Sequence, residues 1–189
     1  MRKNFGKQPW LYPMPVLIIS AYGEDQVPQA MAVGWGGILD PEHLSLCLME
    51  GHKTTGAILK NRAFTAAVAD LAHLEACDYL GTVSGNQVAD KVARSGLRTE
   101  KAAYVNAPIL PELPLTLECE LESFDGTTGV MIGRIVNVSA DESVLDETGN
   151  VDADRFQTLC YDPCRNTYRT LGGQVGEATG VCDPAMDRR

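Results

Sequence analysis

Residues 115–124, Leu-Thr-Leu-Glu-Cys-Glu-Leu-Glu-Ser-Phe, alternate apolar with polar or charged side chains. Successive side chains of a β-strand point to opposite faces, so this period of two predicts a strand with one buried face. The turn Asp125-Gly126-Thr127-Thr128-Gly129 follows, and residues 130–138 return as a second largely apolar run. Two such runs joined by a short glycine-containing turn are typical of a β-hairpin, and they predict an antiparallel sheet.

The rest of the chain supplies more strands and a central group of helices. Apolar and β-branched runs predict strands at 16–22, 29–38, 43–49 and 64–69, the first two forming a hairpin across the turn 23–26. Apolar residues at helical spacing predict helices at 54–61, 73–83 and 88–94, and a weaker helical turn at 154–159. Six or more antiparallel strands with helices in the middle predict a mainly β fold with added helices, a closed or split β-barrel.

Composition limits the class of protein. The chain has 189 residues, 44% of them hydrophobic, which predicts a single domain over 1–189. Its net charge of -9 would repel nucleic acids and anionic membranes, so we expect neither as a partner. The basic N-terminus is followed by an apolar run that contains three prolines and does not resemble a signal peptide. We therefore predict a cytoplasmic protein.

The cysteines do not suggest a framework of disulfides. They are scattered and mostly in apolar surroundings: Cys47, Cys77, Cys119, Cys160, Cys164 and Cys182. In a reducing cytoplasm we interpret most of them as small buried hydrophobic residues. Cys160 and Cys164 have a loose spacing for a zinc knuckle and no histidine nearby, so we expect no metal site.

A candidate phosphate site begins where the helix after the third strand starts, at Gly51-His52-Lys53-Thr54-Thr55-Gly56. A helix N-terminus offers unpaired N–H groups at the positive end of its dipole, and a lysine with two threonines there suits a phosphate. The alternative is an ordinary helix capped by one of the threonines. The segment is not a P-loop, because His52 stands where the glycine before the lysine is required.

The predicted strand at residues 30–37 contains several glycines. Glycine inside a strand often marks a place where a ligand approaches the backbone closely. A flat aromatic ligand beside Trp35 is one interpretation, and a barrel-corner bulge with Trp35 in the core is the other. The dinucleotide fingerprint is absent, because Leu39 occupies its third glycine position. The loop 84–91 offers a further lysine, Lys91, either to a ligand or to solvent. Three scattered histidines, of which we expect His43 and His73 to be structural, define no catalytic nucleophile.

Several fragments, taken in order, resemble the flavin reductase-like family and within it the flavoredoxin group. They are Pro15-Val16-Leu17-Ile18-Ile19-Ser20, Ala30-Met31-Ala32-Val33-Gly34-Trp35-Gly36-Gly37, His52-Lys53-Thr54-Thr55, Asp78-Tyr79-Leu80-Gly81-Thr82-Val83-Ser84-Gly85, Asp90-Lys91 and Pro114-Leu115-Thr116-Leu117-Glu118-Cys119. The likeness covers a core of about 12–176, followed by a short tail that we expect to be loose. The resemblance implies an FMN-binding split barrel of the antiparallel Greek-key type, assembled as a homodimer with FMN near the subunit interface.

The resemblance also implies which residues touch FMN. Those at the isoalloxazine ring would be Met31, Ala32, Val33, Gly34 and Trp35. Those at the phosphate would be His52, Lys53, Thr54 and Thr55. Ser84 and Lys91 match the family's loop near the flavin, and Tyr168 falls where members place an aromatic side chain near the ring. Gly34 stands where relatives often carry serine or alanine, which leaves the contact to flavin N5 open.

The implied function is that of an FMN oxidoreductase that passes hydride or electrons from NADH or NADPH to a second acceptor. Flavin performs this chemistry without a protein general base, in agreement with the absence of a catalytic constellation. The alternative is an FMN-binding electron carrier that has no nicotinamide site and is reduced by a partner protein. A pyridoxal-type or haem-binding relative on the same barrel is a third possibility.

Overall fold

The computed structural model describes residues 1–176 and residue 178. The β-strands in this part of the chain are β1 (Met14–Pro15), β2 (Leu17–Tyr22), β3 (Pro28–Val33), β4 (Gly36–Asp40), β5 (His43–Cys47), β6 (Ala63–Val68), β7 (Glu100–Lys101), β8 (Pro108–Ile109), β9 (Leu115–Asp125), β10 (Val130–Ala140), β11 (Leu159–Asp162) and β12 (Thr167–Thr170). The α-helices are α1 (Lys53–Asn61), α2 (Leu74–Thr82) and α3 (Lys91–Arg94), and short 3-10 helices lie at Glu24–Gln26 and Glu142–Val144. None of the helices in the described residues is long and apolar enough to cross a membrane.

Seven antiparallel strands form the main sheet in the order β3-β2-β6-β9-β10-β5-β4. Its two edge strands, β3 and β4, are neighbours in the sequence and are joined by Gly34 and Trp35. The sheet therefore curls into a half-barrel whose split lies at this junction, and the predicted mainly β, split-barrel fold is confirmed. The prediction of one strand over 29–38 is wrong, because β3 pairs with β2 whereas β4 pairs with β5.

The β9–β10 hairpin, predicted from its alternation, is confirmed and forms the longest pairing of the sheet. Its neighbours are β6 on one side and β5 on the other. Gly133 in β10 lets the ring of Phe64 pass close to the backbone, since a Cβ there would lie 2.7 Å from Phe64 Cε1. Phe64 is fully buried in the barrel interior with Ile19, Ile58 and Met131.

A second apolar cluster lies between the sheet and α2, and it includes Ile18, Leu80 and Leu159. Leu159 begins β11, which pairs with β1 and β12 in a separate three-stranded sheet. The helical turn predicted at 154–159 is therefore wrong: this segment is a turn that leads into β11. The last helix is also shorter than the predicted 88–94. The end of the predicted C-terminal tail lies outside the described residues.

Candidate functional site

The start of α1 is shaped by its first residues. His52 adopts an extended conformation as the N-cap, and its own N–H donates to the Met49 carbonyl at 3.1 Å. No side chain caps the helix, and its first turn holds no acidic residue. Thr54 and Thr55 lie inside the helix and are buried, so the alternative in which one of them caps α1 is wrong. The first-turn N–H groups are therefore available to an external acceptor.

A cavity of about 210 Å³ lies at this helix start. The predicted site residues on its wall are Met31, Ala32, His52, Lys53, Thr54, Ser84 and Lys91. Thr55 is absent from the wall, and its hydroxyl is fully buried without a hydrogen-bond partner in the described part of the chain. The wall is thus rich in N–H and cationic groups, which suits an anionic ligand group.

Lys91 contributes a buried cation to this cavity. Its side chain is 4% exposed, and Nζ donates to the carbonyl oxygens of Leu80 at 3.1 Å and Val83 at 3.0 Å. Burial lowers the pKa of this ammonium group. An ammonium carries three donors, so one N–H remains for a ligand. The alternative of a solvated Lys91 is wrong, because the side chain lies under the C-terminal end of α2.

The loop that carries Ser84 closes over the helix start. Asn86 Nδ2 donates to the Gly51 carbonyl at 2.9 Å, which ties the loop to the segment before α1. A Cβ on Gly85 would lie 3.4 Å from Lys53 Cβ, so the two segments approach each other closely. Ser84 itself is held by the local turn, where its Oγ accepts from the Asn86 N–H at 3.3 Å. The loop and the helix start therefore form one wall.

The β3–β4 junction separates this cavity from two larger ones. Ala32 lines all three, and Val33, Gly34 and Trp35 line both of the larger cavities, of about 400 Å³ and 620 Å³. Trp35 is 53% exposed, so its alternative placement in the core is wrong. The junction is a thin ridge with a polar, cationic cavity at one end and broad clefts on both sides.

Aromatic side chains from the β11–β12 hairpin form the far wall of the 400 Å³ cavity. Tyr161 and Tyr168 face each other as cross-strand partners. The Tyr168 hydroxyl donates to Asp78 Oδ1 at 2.7 Å, and the Tyr161 hydroxyl donates to Asn166 Oδ1 at 2.9 Å. Burial, together with the Asp78 carboxylate, raises the pKa of Tyr168. Tyr168 thus shares a cavity with the predicted ring-contacting residues.

The sequence reasoning assigned no role to Asp78, Tyr161 or Asn166, which line the same cavity. The missed signal was the hairpin itself: Tyr161 and Tyr168 flank a turn that contains Pro163 and Asn166. A helical turn predicted just before this region hid the pairing. The contact between Asp78 and Tyr168 could not be predicted from local sequence pattern, because Asp78 lies on α2 and Tyr168 on β12, and only the tertiary fold brings them together.

The histidines and cysteines fall into distinct environments. His73 Nδ1 lies 2.8 Å from Asp70 Oδ1 at the start of α2, and His43 bridges Asp40 and Glu122, both structural positions as predicted. Cys77 and Cys119 are buried, and desolvation raises the pKa of each thiol to about 12. The other described cysteines are Cys47, Cys160 and Cys164, which are exposed or partly exposed. The interpretation that most of the cysteines are buried is therefore wrong for the described ones, and Cys182 lies outside the described residues.

The fold and the site define a class of protein: an antiparallel split barrel with a helix start that no side chain caps, beside open clefts at the split. The chain belongs to the flavin reductase-like domain family, whose profile matches residues 10–168. This match confirms the family resemblance. A comparison with curated protein sequences found no match.

Solved structures support the same assignment. The chain is similar to the flavoredoxin of Desulfovibrio vulgaris (Miyazaki F), with 30% identity, a TM-score of 0.91, and coverage of 96% of this chain and 99% of that one. It is also similar to the flavoredoxin from Methanosarcina acetivorans, with 25% identity, a TM-score of 0.85, and coverage of 96% and 97%. An FMN-binding domain of a flavin reductase-like enzyme from Shewanella baltica OS155 shares the fold, with 22% identity, a TM-score of 0.77, and coverage of 86% and 88%.

Proposed function

We propose that this protein binds FMN and transfers electrons through it. The observation that carries the proposal is that the helix-start cavity adjoins the two clefts that flank Trp35 and shares wall residues with each, because a phosphate on a ribityl chain and a flat ring system would fit adjoining spaces of this kind. Ala32 is the shared wall residue. The flavin reductase-like family and the FMN-binding domain from Shewanella baltica OS155 support the same cofactor.

In this proposal the phosphate lies against the first-turn N–H groups of α1, with Lys53 and Thr54 as side-chain donors. His52 stands at the mouth shared with the 620 Å³ cleft. Ser84 closes the loop side, and the remaining N–H of Lys91 points to an anionic or carbonyl group of the cofactor. Thr55 contributes its backbone N–H, since its side chain is not on the cavity wall.

The isoalloxazine ring lies along the ridge 31–35, which supplies mainly backbone atoms. Bound FMN would supply hydride or single-electron chemistry, while the protein orients it and excludes water. Tyr168 stands on the opposite wall of the 400 Å³ cleft, where its hydroxyl is held by Asp78. This bond fixes the aromatic ring in place as part of the wall.

Two electron donors are compatible with this site. NADH or NADPH would have to bind its own phosphates, but the described residues that line the two clefts beside Trp35 include no lysine or arginine. The cationic groups belong to the helix-start cavity instead. We therefore favour a protein electron donor, as in an electron carrier similar to flavoredoxin, over a nicotinamide-dependent reductase.

We further propose that the protein is a homodimer. Large apolar side chains are exposed around the ridge and on the edge strand β4: Trp35, Ile38, Leu39 and Met49. An exposed apolar edge strand favours pairing with another chain, and closed two-fold symmetry is the commonest arrangement. A cytoplasmic location and the absence of nucleic acid or membrane partners remain predictions from the sequence.

The phosphate site is tested by titrating wild type and Lys53→Ala with FMN and with riboflavin, which lacks the phosphate. A hydrogen bond to a charged group contributes about 1.5–3 kcal/mol, so we expect the variant to bind FMN about 10- to 150-fold more weakly and riboflavin equally well. Lys60→Ala, at the other end of α1, makes the same charge change and should leave both affinities unchanged. Equal FMN affinity for all three proteins would exclude this phosphate position.

The electron donor is tested by mixing the FMN-loaded protein with NADH or NADPH without oxygen. The proposal of a carrier predicts slow or no loss of the oxidised-flavin absorbance. Rapid reduction by either nucleotide would instead establish a reductase.

A further inference from the structure

The N-terminal arm, defined as residues 1–13, precedes β1 and is exposed along its whole length in the part of the chain that the structure describes. Every residue of the arm is exposed, including the apolar side chains of Phe5, Trp10 and Leu11. Its side-chain hydrogen bond to the body is that of the Tyr12 hydroxyl with Asp162. Phe5 and Trp10 contact each other edge-to-face, with ring centroids 5.1 Å apart. The arm thus presents a small aromatic cluster that the described part of its own chain does not cover.

A complementary apolar surface exists on the barrel. We call it the Trp35 face: the walls of the 620 Å³ cavity at Trp35 and Met49, with Ile38 and Leu39 on the adjoining strand β4. All four side chains are exposed. Cys47 lies on the same wall with its thiol accessible.

The root of the arm borders this face. The arm leads into β1, which lies against β4, and the Pro15 carbonyl oxygen is 3.7 Å from the position of a Cβ on Gly34. In a two-fold dimer formed through the Trp35 face, the root of each arm would therefore lie beside the partner's face. Thirteen extended residues span roughly 43 Å, enough to cross it.

Charge and size also favour a second copy of this chain. The arm carries Arg2, Lys3 and Lys7 and no acidic residue, so its net charge is +3. Because the whole chain has a net charge of -9, the residues outside the arm carry a net charge of -12. A cationic arm would be attracted to an acidic body. A stable interface needs roughly 800 Å² of buried surface from each partner. The four side chains of the Trp35 face alone do not provide this area. Aromatic side chains bury roughly 150–250 Å² each, so Phe5 and Trp10 of the arm would enlarge the interface.

We propose that the N-terminal arms are exchanged in the dimer, with the Phe5–Trp10 cluster of one copy packed on the Trp35 face of the other. The inference rests on the dimer proposed above. In this arrangement the site of each copy is completed by the partner, because the arm covers the open side of the 620 Å³ cleft.

The exposed residue Cys47 provides a direct test. Gln8→Cys, which keeps both Phe5 and Trp10, is treated with a short bismaleimide and analysed by denaturing electrophoresis and mass spectrometry, next to the double variant Gln8→Cys with Cys47→Ser. Arm exchange predicts a covalent dimer whose cross-linked peptides join position 8 of one copy to Cys47 of the other, and predicts its loss in the double variant. A link within one chain, or a dimer that does not depend on Cys47, would overturn the proposal.

Sedimentation of the wild type and of the double variant Phe5→Ala with Trp10→Ala separates the two proposals. Arm exchange predicts a wild-type dimer whose dissociation constant rises about tenfold or more in the variant, because buried aromatic side chains dominate interface energies. A dimer of equal affinity in both proteins overturns arm exchange and leaves the dimer standing. A monomeric wild type overturns both proposals, while FMN titration of the same sample tests the cofactor site separately.

Discussion

The helix α2 closely approaches the ridge 31–35 at Gly81. Alanine substitutions at Gly81 in α2 and at Gly56 in α1 test how much this close approach affects stability and FMN affinity. Alanine is favoured over glycine inside a helix by about 0.8–1.0 kcal/mol. A Cβ on Gly56 would meet nothing within 4 Å, so Gly56→Ala should stabilise the FMN-free protein by up to about 1 kcal/mol. It is the matched control.

A Cβ on Gly81 would lie 3.1 Å from the Cβ of Ala32. Non-bonded carbons prefer about 3.5–4.0 Å, so α2 and β3 would have to separate by roughly 0.5 Å. Overpacking of this kind costs about 1–3 kcal/mol, which offsets or exceeds the gain in helix propensity. We therefore expect Gly81→Ala to leave the FMN-free protein less stable than Gly56→Ala by about 1–3 kcal/mol.

The same contact affects the site, because Ala32 and Gly81 both line the 210 Å³ and 400 Å³ cavities. The added methyl group would lie on the wall that the two cavities share, and we expect FMN affinity to fall about tenfold, or about 1.4 kcal/mol. Urea unfolding of the FMN-free variants and fluorescence titration with FMN measure the two effects. If Gly81→Ala gains as much stability as Gly56→Ala and binds FMN as wild type does, the close approach of α2 to β3 has no role in the site.

Two further predictions concern the barrel. Hydrogen bonding to Asp40, with Glu122 on the other side, raises the pKa of His43, so its stabilising contribution is complete below about pH 6.5 and is lost as the pH rises through the raised value. His43→Gln should remove this decrease from the unfolding free energy measured against pH, and an unchanged pH profile would contradict the assignment. Gly133→Ala should destabilise the protein by about 1–3 kcal/mol in urea unfolding, because its methyl group would overlap the Phe64 ring, and wild-type stability would refute that packing.

Much of the fold could be predicted from the local pattern of apolar and polar residues. The β9–β10 hairpin was predictable because the alternation of its side chains and its turn lie within one continuous segment. The break between β3 and β4 was not, because β3 pairs with β2 and β4 pairs with β5, and these two partners lie next to opposite edges of the sheet. Glycine at 34, 36 and 37 weakened the pattern but did not show where one pairing ends and the other begins.

The candidate site was predictable in its segments but not in all of its contacts. Residues 31–35, Lys53 and Ser84 line adjoining cavities that share wall residues, while their contacts to FMN stay a prediction. Thr55 does not reach the cavity, because the helical period that places Thr54 on the wall turns the next side chain away. The cross-strand pair of Tyr161 and Tyr168 depends on a hairpin that local propensity did not reveal.

In the proposed site, the position of Lys91 would allow an acidic chain to hold a phosphorylated anion. Its ammonium is buried, and among the described residues its hydrogen bonds go to the carbonyls of Leu80 and Val83 rather than to a carboxylate. Those carbonyls end α2, where the helix dipole is negative, so they orient the cation without neutralising it. The remaining positive charge then acts inside a small cavity, where solvent screening is weak, beside Lys53 and the positive end of α1. The net charge of -9 acts mainly from the surface, so the local field at the helix start decides which ligand is attracted.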